Sequence, residues 1–217
     1  MPPKMTTSSY AVLAILDLRP WSGYELTHQA KRSLRYAWPR SERLLYSEPK
    51  KLVRLGYATV RKEEVGGRSR KVYTITDAGR EALGEWASTR TSPPQLESEA
   101  LLRFLFADSG SLEDLGRALD ELEEDVGELH RSVVDLMASY LDEDEGHPFP
   151  DRAHLSVVFA VAQLELFRAF ERWIEFARSE AARWPDTAGV GMDDRIRAIT
   201  EMLARDESPV GELEPSE

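Results

Sequence analysis

The chain has 217 residues, with 39 Asp+Glu against 28 Lys+Arg for a formal charge of -11, and no cysteine. That length suffices for one large or two small buried cores, and the missing cysteine excludes disulfides, thiolate metal sites and cysteine nucleophiles together. No unbroken apolar run reaches the roughly eighteen residues of a bilayer span, and Met1 to Thr6 lack the apolar centre of a signal peptide, so a soluble cytoplasmic protein without a membrane partner is expected.

The net charge hides a polarity. Residues 1–90 carry 17 Lys+Arg and 9 Asp+Glu, a surplus of +8, leaving 11 basic and 30 acidic residues, or -19, for the remainder. Either this is a chance asymmetry of a solvated surface, or one end of the molecule attracts a phosphate backbone while the other repels it.

In chain order, Thr7 and Ser8 are helix caps for the apolar stretch from Ser8 to Leu18, which reads as a buried helix. After Arg19-Pro20-Trp21, the Ser22-Gly23-Tyr24-Glu25 spacing is that of a capping box, so a second helix begins near Gly23. Ser41 is a cap candidate for a third helix, whose inner face is Leu44, Leu45, Leu52 and Leu55 and whose stop is Gly56. The period then changes. Tyr57 to Lys62 and Lys71 to Ile75 are rich in β-branched and aromatic residues and enclose Gly66-Gly67, which predicts a two-stranded hairpin with a basic tip. Thr76 caps a fourth helix through Leu83 and Trp86, and Ser92-Pro93-Pro94 breaks the chain. Three helices, a hairpin and a helix are the order of a winged helix-turn-helix.

Everything beyond reads helical: Gln95 to Phe106, a long helix from Leu112, another over 152–183, and a short piece from Asp193 to Ala204. On the long helix Leu112, Leu115, Leu119, Leu122, Val126, Leu129, Val133 and Leu136 alternate in steps of three and four, a coiled-coil seam. At about 1.5 Å per residue it extends roughly 43 Å, which points to an intermolecular partner unless a neighbouring helix of the same chain covers it. The expected architecture is mainly α with a small two-stranded β-wing. Residues 1–90 form the winged domain, 91–205 an all-helical dimerisation or effector domain, and 206–217 an acidic tail too poor in apolar residues to fold.

Ser22-Gly23-Tyr24-Glu25-Leu26, then Leu45-Tyr46 with Lys50-Lys51-Leu52 and Gly56, then Lys71-Val72-Tyr73-Thr74-Ile75-Thr76-Asp77-Ala78-Gly79-Arg80, resemble the PadR family of transcriptional regulators over roughly residues 8–88. The helical remainder is similar to that family's dimerisation region in layout alone. The resemblance implies a homodimeric repressor of a palindromic, double-stranded DNA operator, released by a small effector. Pro49 departs from the family, where an apolar helix residue is usual, and an internal proline removes one hydrogen bond and bends a helix.

In such a domain the third helix enters the major groove and the wing reaches the neighbouring backbone or minor groove. Arg40, Ser41, Arg43, Tyr46, Ser47 and Lys50 fall away from the leucine face, Lys51 and Arg54 can approach backbone, and Arg68 and Arg70 flank the wing tip. Arg43 is the preferred base reader, since its fork can take guanine O6 and N7 together, whereas Lys50 is a compact charge suited to phosphate. Each of these cations could equally be a solvated surface charge.

The four histidines have no close helical ligand spacing, so no metal and no cofactor is expected. The acidic run Glu121 to Asp125 reads as a solvated face beside the seam, and no catalytic fingerprint occurs, so no enzyme is expected. Trp86, Phe159, Phe170 and Trp173 are either core and interface anchors or the border of a small aromatic effector's site. A second functional class stays open: a helical protein-interaction or effector-sensing module whose winged domain is degenerate.

Overall fold

The computed structural model describes residues 4–34, 42–66, 68–142 and 146–210, with side chains for all of these except 33, 34, 42–44, 65 and 68. They fall into two compact units, residues 1–94 and 95–217.

The first unit opens with α1, Thr7–Leu18. Its cap is Thr6, one residue earlier than the sequence suggests: Ser9 N–H donates to Thr6 Oγ1 at 3.3 Å and Thr6 N–H to Ser9 Oγ at 3.0 Å. Val12 and Leu13 on α1, Leu26 on α2 (Gly23–Leu34) and Leu52 on α3 (Glu42–Arg54) are completely buried. Burial of each such leucine stabilises by about 1.5–3 kcal/mol, so this apolar centre, rather than helix propensity, holds the three short helices. The predicted capping box of α2 is formed, with Ser22 N–H donating to Glu25 Oε2 at 2.8 Å and Glu25 N–H to Ser22 Oγ at 3.2 Å.

Pro49 does not interrupt α3, which runs through it, and its ring is fully buried. Gly56 ends the helix at φ +78°, where Gly56 N–H donates to Val53 O and Tyr57 N–H to Leu52 O, both orphan carbonyls. The wing consists of β2 (Ala58–Val65) and β3 (Arg68–Ile75), antiparallel and joined by Gly66 and Gly67. Two residues at the turn with Gly66 at φ +58° suit the twist of a tight hairpin. The sheet has a third strand that the sequence does not announce: β1, Trp21–Ser22, pairs with β3 opposite Tyr73 and Val72, giving the order β1-β3-β2. Two residues carry no alternation to read, and Trp21 is fixed by its Nε1–H donating to Ile15 O at 2.8 Å.

Helix α4, Asp77–Ala87, follows with Thr76 as cap. Gly79 is required there, because a Cβ would lie 2.3 Å from Tyr57 O and 2.8 Å from Ile75 Cγ1.

The second unit contains α5 (Glu99–Leu105), α6 (Leu112–Ser139), α7 (Ala153–Ala181) and α8 (Asp194–Ala204). Helix α5 starts at Glu99, not at Gln95, because Ser98 caps it, its hydroxyl accepting from Leu101 N–H. Helices α6 and α7 run antiparallel: His130 meets Glu171, and Arg178 meets Asp120 and Glu123. Leu115, Leu119 and Ala177 form a buried cluster, against which Phe104, Ala107, Trp173, Ala181 and Trp184 pack. Helix α8 is pinned by the bidentate pair of Arg195 with the buried Glu180 of α7, at 2.6 Å. Residues 211–217, most of the predicted acidic tail, lie outside the described residues.

By length and composition α7 with its leading turn could cross a bilayer, with mean hydropathy 1.3 over eighteen residues. The stretch is not an unbroken apolar run, since His154, Gln163, Glu165 and Arg168 interrupt it; its mean is high because the apolar residues between them outweigh these. It carries, however, Phe167, Ile174 and Ala177 in buried positions, Glu171 paired with His130 of α6 and Glu180 paired with Arg195 of α8.

Candidate nucleic-acid interface

Helix α3 divides by face. Leu45, Glu48, Pro49 and Leu52 point inward, while Tyr46, Ser47, Lys50 and Arg54 are exposed. Tyr46, Lys50 and Arg54 recur at steps of four, so they lie along one stripe of the helix. That stripe offers one hydroxyl and two cations, suited to phosphate and base-edge contact. Arg40 and Ser41 lie outside the described residues, and of Arg43 only the backbone, within α3, is described.

Lys51 belongs elsewhere. Its Nζ donates to Ser9 Oγ at 2.8 Å and stands 3.3 Å from Glu48 Oε2, and its side chain is 14% exposed. Glu48, passed over by the sequence reading, is buried, and an unpaired carboxylate there would be costly. The expectation that Lys51 approaches a DNA backbone is therefore corrected: it fastens α3 to α1. The signal for this pairing was a carboxylate three residues before a lysine on the apolar side of a helix.

On the wing, Arg70 is also engaged. It donates to Glu63 at 3.1 Å and lies 3.9 Å from Glu25 at the start of α2, while Arg61 pairs with the same Glu63 at 2.7 Å. Glu63 faces Arg70 because the register pairs them across the hairpin, a relation readable once the turn is centred on Gly66-Gly67. The Ser22 hydroxyl and amide hold the Glu25 carboxyl below the usual carboxylate range, aided by the charges of Arg19 and Arg70 and opposed by partial burial. Arg68 lies in β3, its side chain outside the described ones.

In the helical unit, Leu115, Leu119, Val126 and Val133 are buried, and Leu112, Leu122, Leu129 and Leu136 are half-buried. Helix α7 of the same chain packs along α6, so the length of α6 alone does not demand a second copy. On α7 the aromatic candidates Phe159 and Trp173 do not converge. Trp173 meets Phe104 edge-on at 5.1 Å within the apolar cluster, and Phe159 is 40% exposed. These two stand fourteen positions apart on α7, about 21 Å at the helical rise, too far for one small ligand. Phe170 is half-buried, and Trp86, in the other unit, stacks on Tyr10 at 5.1 Å with planes 8° apart. A groove of about 420 Å³ between α5 and the start of α6 is lined by Leu102, Phe106, Leu115 and Ala118 with Arg103 and Asp114, and by none of the four. Among the described residues no three side chains converge as a metal site. His130 Nδ1 instead bonds Glu171 at 2.7 Å, and His147 Nε2 bonds Ser156 at 3.0 Å.

Residues 12–85 match the family described as "Transcriptional regulator PadR-like family". Over 177 residues the chain is 29% identical to the negative transcriptional regulator PadR of Bacillus subtilis, covering 79% of this chain and 95% of that protein. The crystal structure of Bacillus subtilis PadR in complex with operator DNA superposes with a TM-score of 0.60 at 24% identity, over 82% of this chain and 98% of that one. The same protein in complex with p-coumaric acid gives 0.60 at 23%, over 83% and 100%. The smu.1604c protein of Streptococcus mutans gives 0.69 at 20%, over 82% and 100%. The shared fold and the matched winged segment agree with the charge polarity and the exposed stripe of α3: over residues 12–85 the chain is similar to the PadR-like family of transcriptional regulators.

Proposed function

We propose that the protein is a homodimeric, cytoplasmic repressor that binds a palindromic operator through α3 and the wing and is released by a small aromatic effector. The observation that carries this reading is the outward stripe Tyr46, Lys50 and Arg54 on α3, within a domain whose charge is opposite to that of the rest of the chain. A duplex is attracted to that end, and an inserted helix can meet base edges there. The Bacillus subtilis relative, a negative regulator crystallised with operator DNA and with p-coumaric acid, supports repression, an operator and a planar effector. Dimerisation has a surface to use apart from the α6 seam, since Leu155, Val158 and Phe159 on α7 are 50%, 72% and 40% exposed.

Fluorescence anisotropy with a duplex from the gene's own upstream region and a scrambled duplex of equal composition tests the reading, alongside sedimentation of the free protein. The expected result is a dimer with sequence-selective, salt-dependent affinity, in which Arg43→Ala costs about 1–3 kcal/mol on the matched duplex only. A single sedimenting chain that ignores duplexes at low salt overturns it in favour of a winged domain that contacts a protein partner.

A further inference from the structure

The register of the wing sorts its charges by face. Residues two apart on a strand share a face, so Arg61 and Glu63 on β2 lie with Arg70 on β3. On this face two arginines meet two carboxylates, Glu63 and Glu25, and the charges cancel. The other face is different. Lys62 and Lys71 are direct cross-strand partners, and both are exposed. Directly opposed side chains have Cβ atoms about 4.5–5.5 Å apart, and like charges so placed destabilise a hairpin. Glu64, also exposed, shares this face, yet neither lysine has an ion pair among the described residues. Two ammonium groups on flexible four-carbon stems near the end of the hairpin suit a run of closely spaced anionic charges, and duplex DNA presents one per about 1.7 Å of axis.

We propose that Lys62 and Lys71 are the wing's contacts to the phosphate backbone, and that Arg70 is a positioning residue that fixes the wing to the start of α2. This rests on the DNA-binding reading above. It also reassigns the wing contact predicted for Arg70, whose guanidinium is already taken up by Glu63 and Glu25.

The test measures log Kobs against log salt concentration for the full-length protein on the upstream duplex and its scrambled counterpart. For Lys62→Gln/Lys71→Gln the slope is expected to be shallower by about 3.6, from about 0.9 per phosphate contact and two lysines on each of the dimer's two wings, with equal loss on both duplexes. Its melting temperature is expected to hold or rise, because the opposed charges are gone, and Lys62→Arg/Lys71→Arg is expected to restore the slope. Arg70→Gln is expected to lower the melting temperature and leave the slope unchanged. If the wild type binds with a steep slope and the double glutamine variant keeps it, the lysine assignment is overturned while the DNA-binding reading stands. A full contact's loss of slope in Arg70→Gln overturns its positioning role. A wild type with no salt-dependent binding overturns both the reading and the inference.

Discussion

Lys51 Nζ donates to Ser9 Oγ at 2.8 Å, joining α3 to α1 across 42 positions of sequence. Ser9 is fully buried and Glu48, the other partner of Lys51, is 5% exposed, so this cation works inside the domain. Lys51→Met leaves the Glu48 carboxylate buried and unpaired, and is expected to lower the unfolding free energy by about 3 kcal/mol, since breaking one side of a buried pair costs more than the pair contributes. Urea unfolding followed by circular dichroism measures this. The salt slope of DNA binding should stay at the wild-type value, and a slope shallower by one contact would return Lys51 to the phosphate backbone.

Gly79→Ala places a methyl group 2.3 Å from a carbonyl oxygen of the Tyr57 backbone, which cannot swing aside as a flexible side chain does. A loss of about 1–3 kcal/mol is expected from the forced backbone shift. Gly84→Ala in the same helix meets nothing within 4 Å and should stabilise by up to about 1 kcal/mol through helix propensity. Thermal melting of the two variants should therefore move in opposite directions.

Glu25 ties three parts of the winged unit: the cap of α2, Arg19 and the wing's Arg70. Its carboxyl is held below the ordinary value of 4.5, chiefly by the Ser22 hydroxyl and amide. A depressed folded-state value means that the unfolded chain takes up the proton first as acid is added. The stabilisation is thus complete above the ordinary carboxylate value and is lost as pH falls through the depressed one. Unfolding free energies measured from pH 6 downward should fall less steeply in Glu25→Gln than in the wild type. Parallel curves would remove Glu25 as a contributor.

Arg195 closes on the buried Glu180 with two nitrogen donors. Arg195→Ala leaves that α7 carboxylate buried without its cation and is expected to cost about 3 kcal/mol. Limited proteolysis should then cut between residues 186 and 205 faster than in the wild type. A Glu180→Gln/Arg195→Ala variant, which buries no charge, should recover part of the loss.

Local chemistry made much of the winged unit legible. The Ser22 and Glu25 capping box, the Thr76 cap, the stop at Gly56 and the hairpin around Gly66-Gly67 each depend on residues within a few positions of one another. Helix α6 was equally plain from its three-and-four spacing, and its Ser111 cap forms a box with Asp114. What the seam faces was a different matter, because an apolar stripe specifies only that something must cover it. Strand β1 escaped for a related reason: two residues have no period, and their pairing depends on Tyr73 and Val72 some fifty positions away.

By itself the sequence determined the order of the main helices and the hairpin, several of the caps and the split of charge between basic head and acidic body, since these follow from nearest-neighbour hydrogen bonding and composition. Only the tertiary structure decided which charges are spent. Lys51 and Lys50 are adjacent in sequence, yet one is tied to Ser9 and Glu48 and the other is exposed; Arg70 and Lys71 divide in the same way across the two faces of a strand. A cation's availability to a partner depends on the carboxylates that folding brings within a few ångströms of it, and the chain in one dimension does not contain that distance.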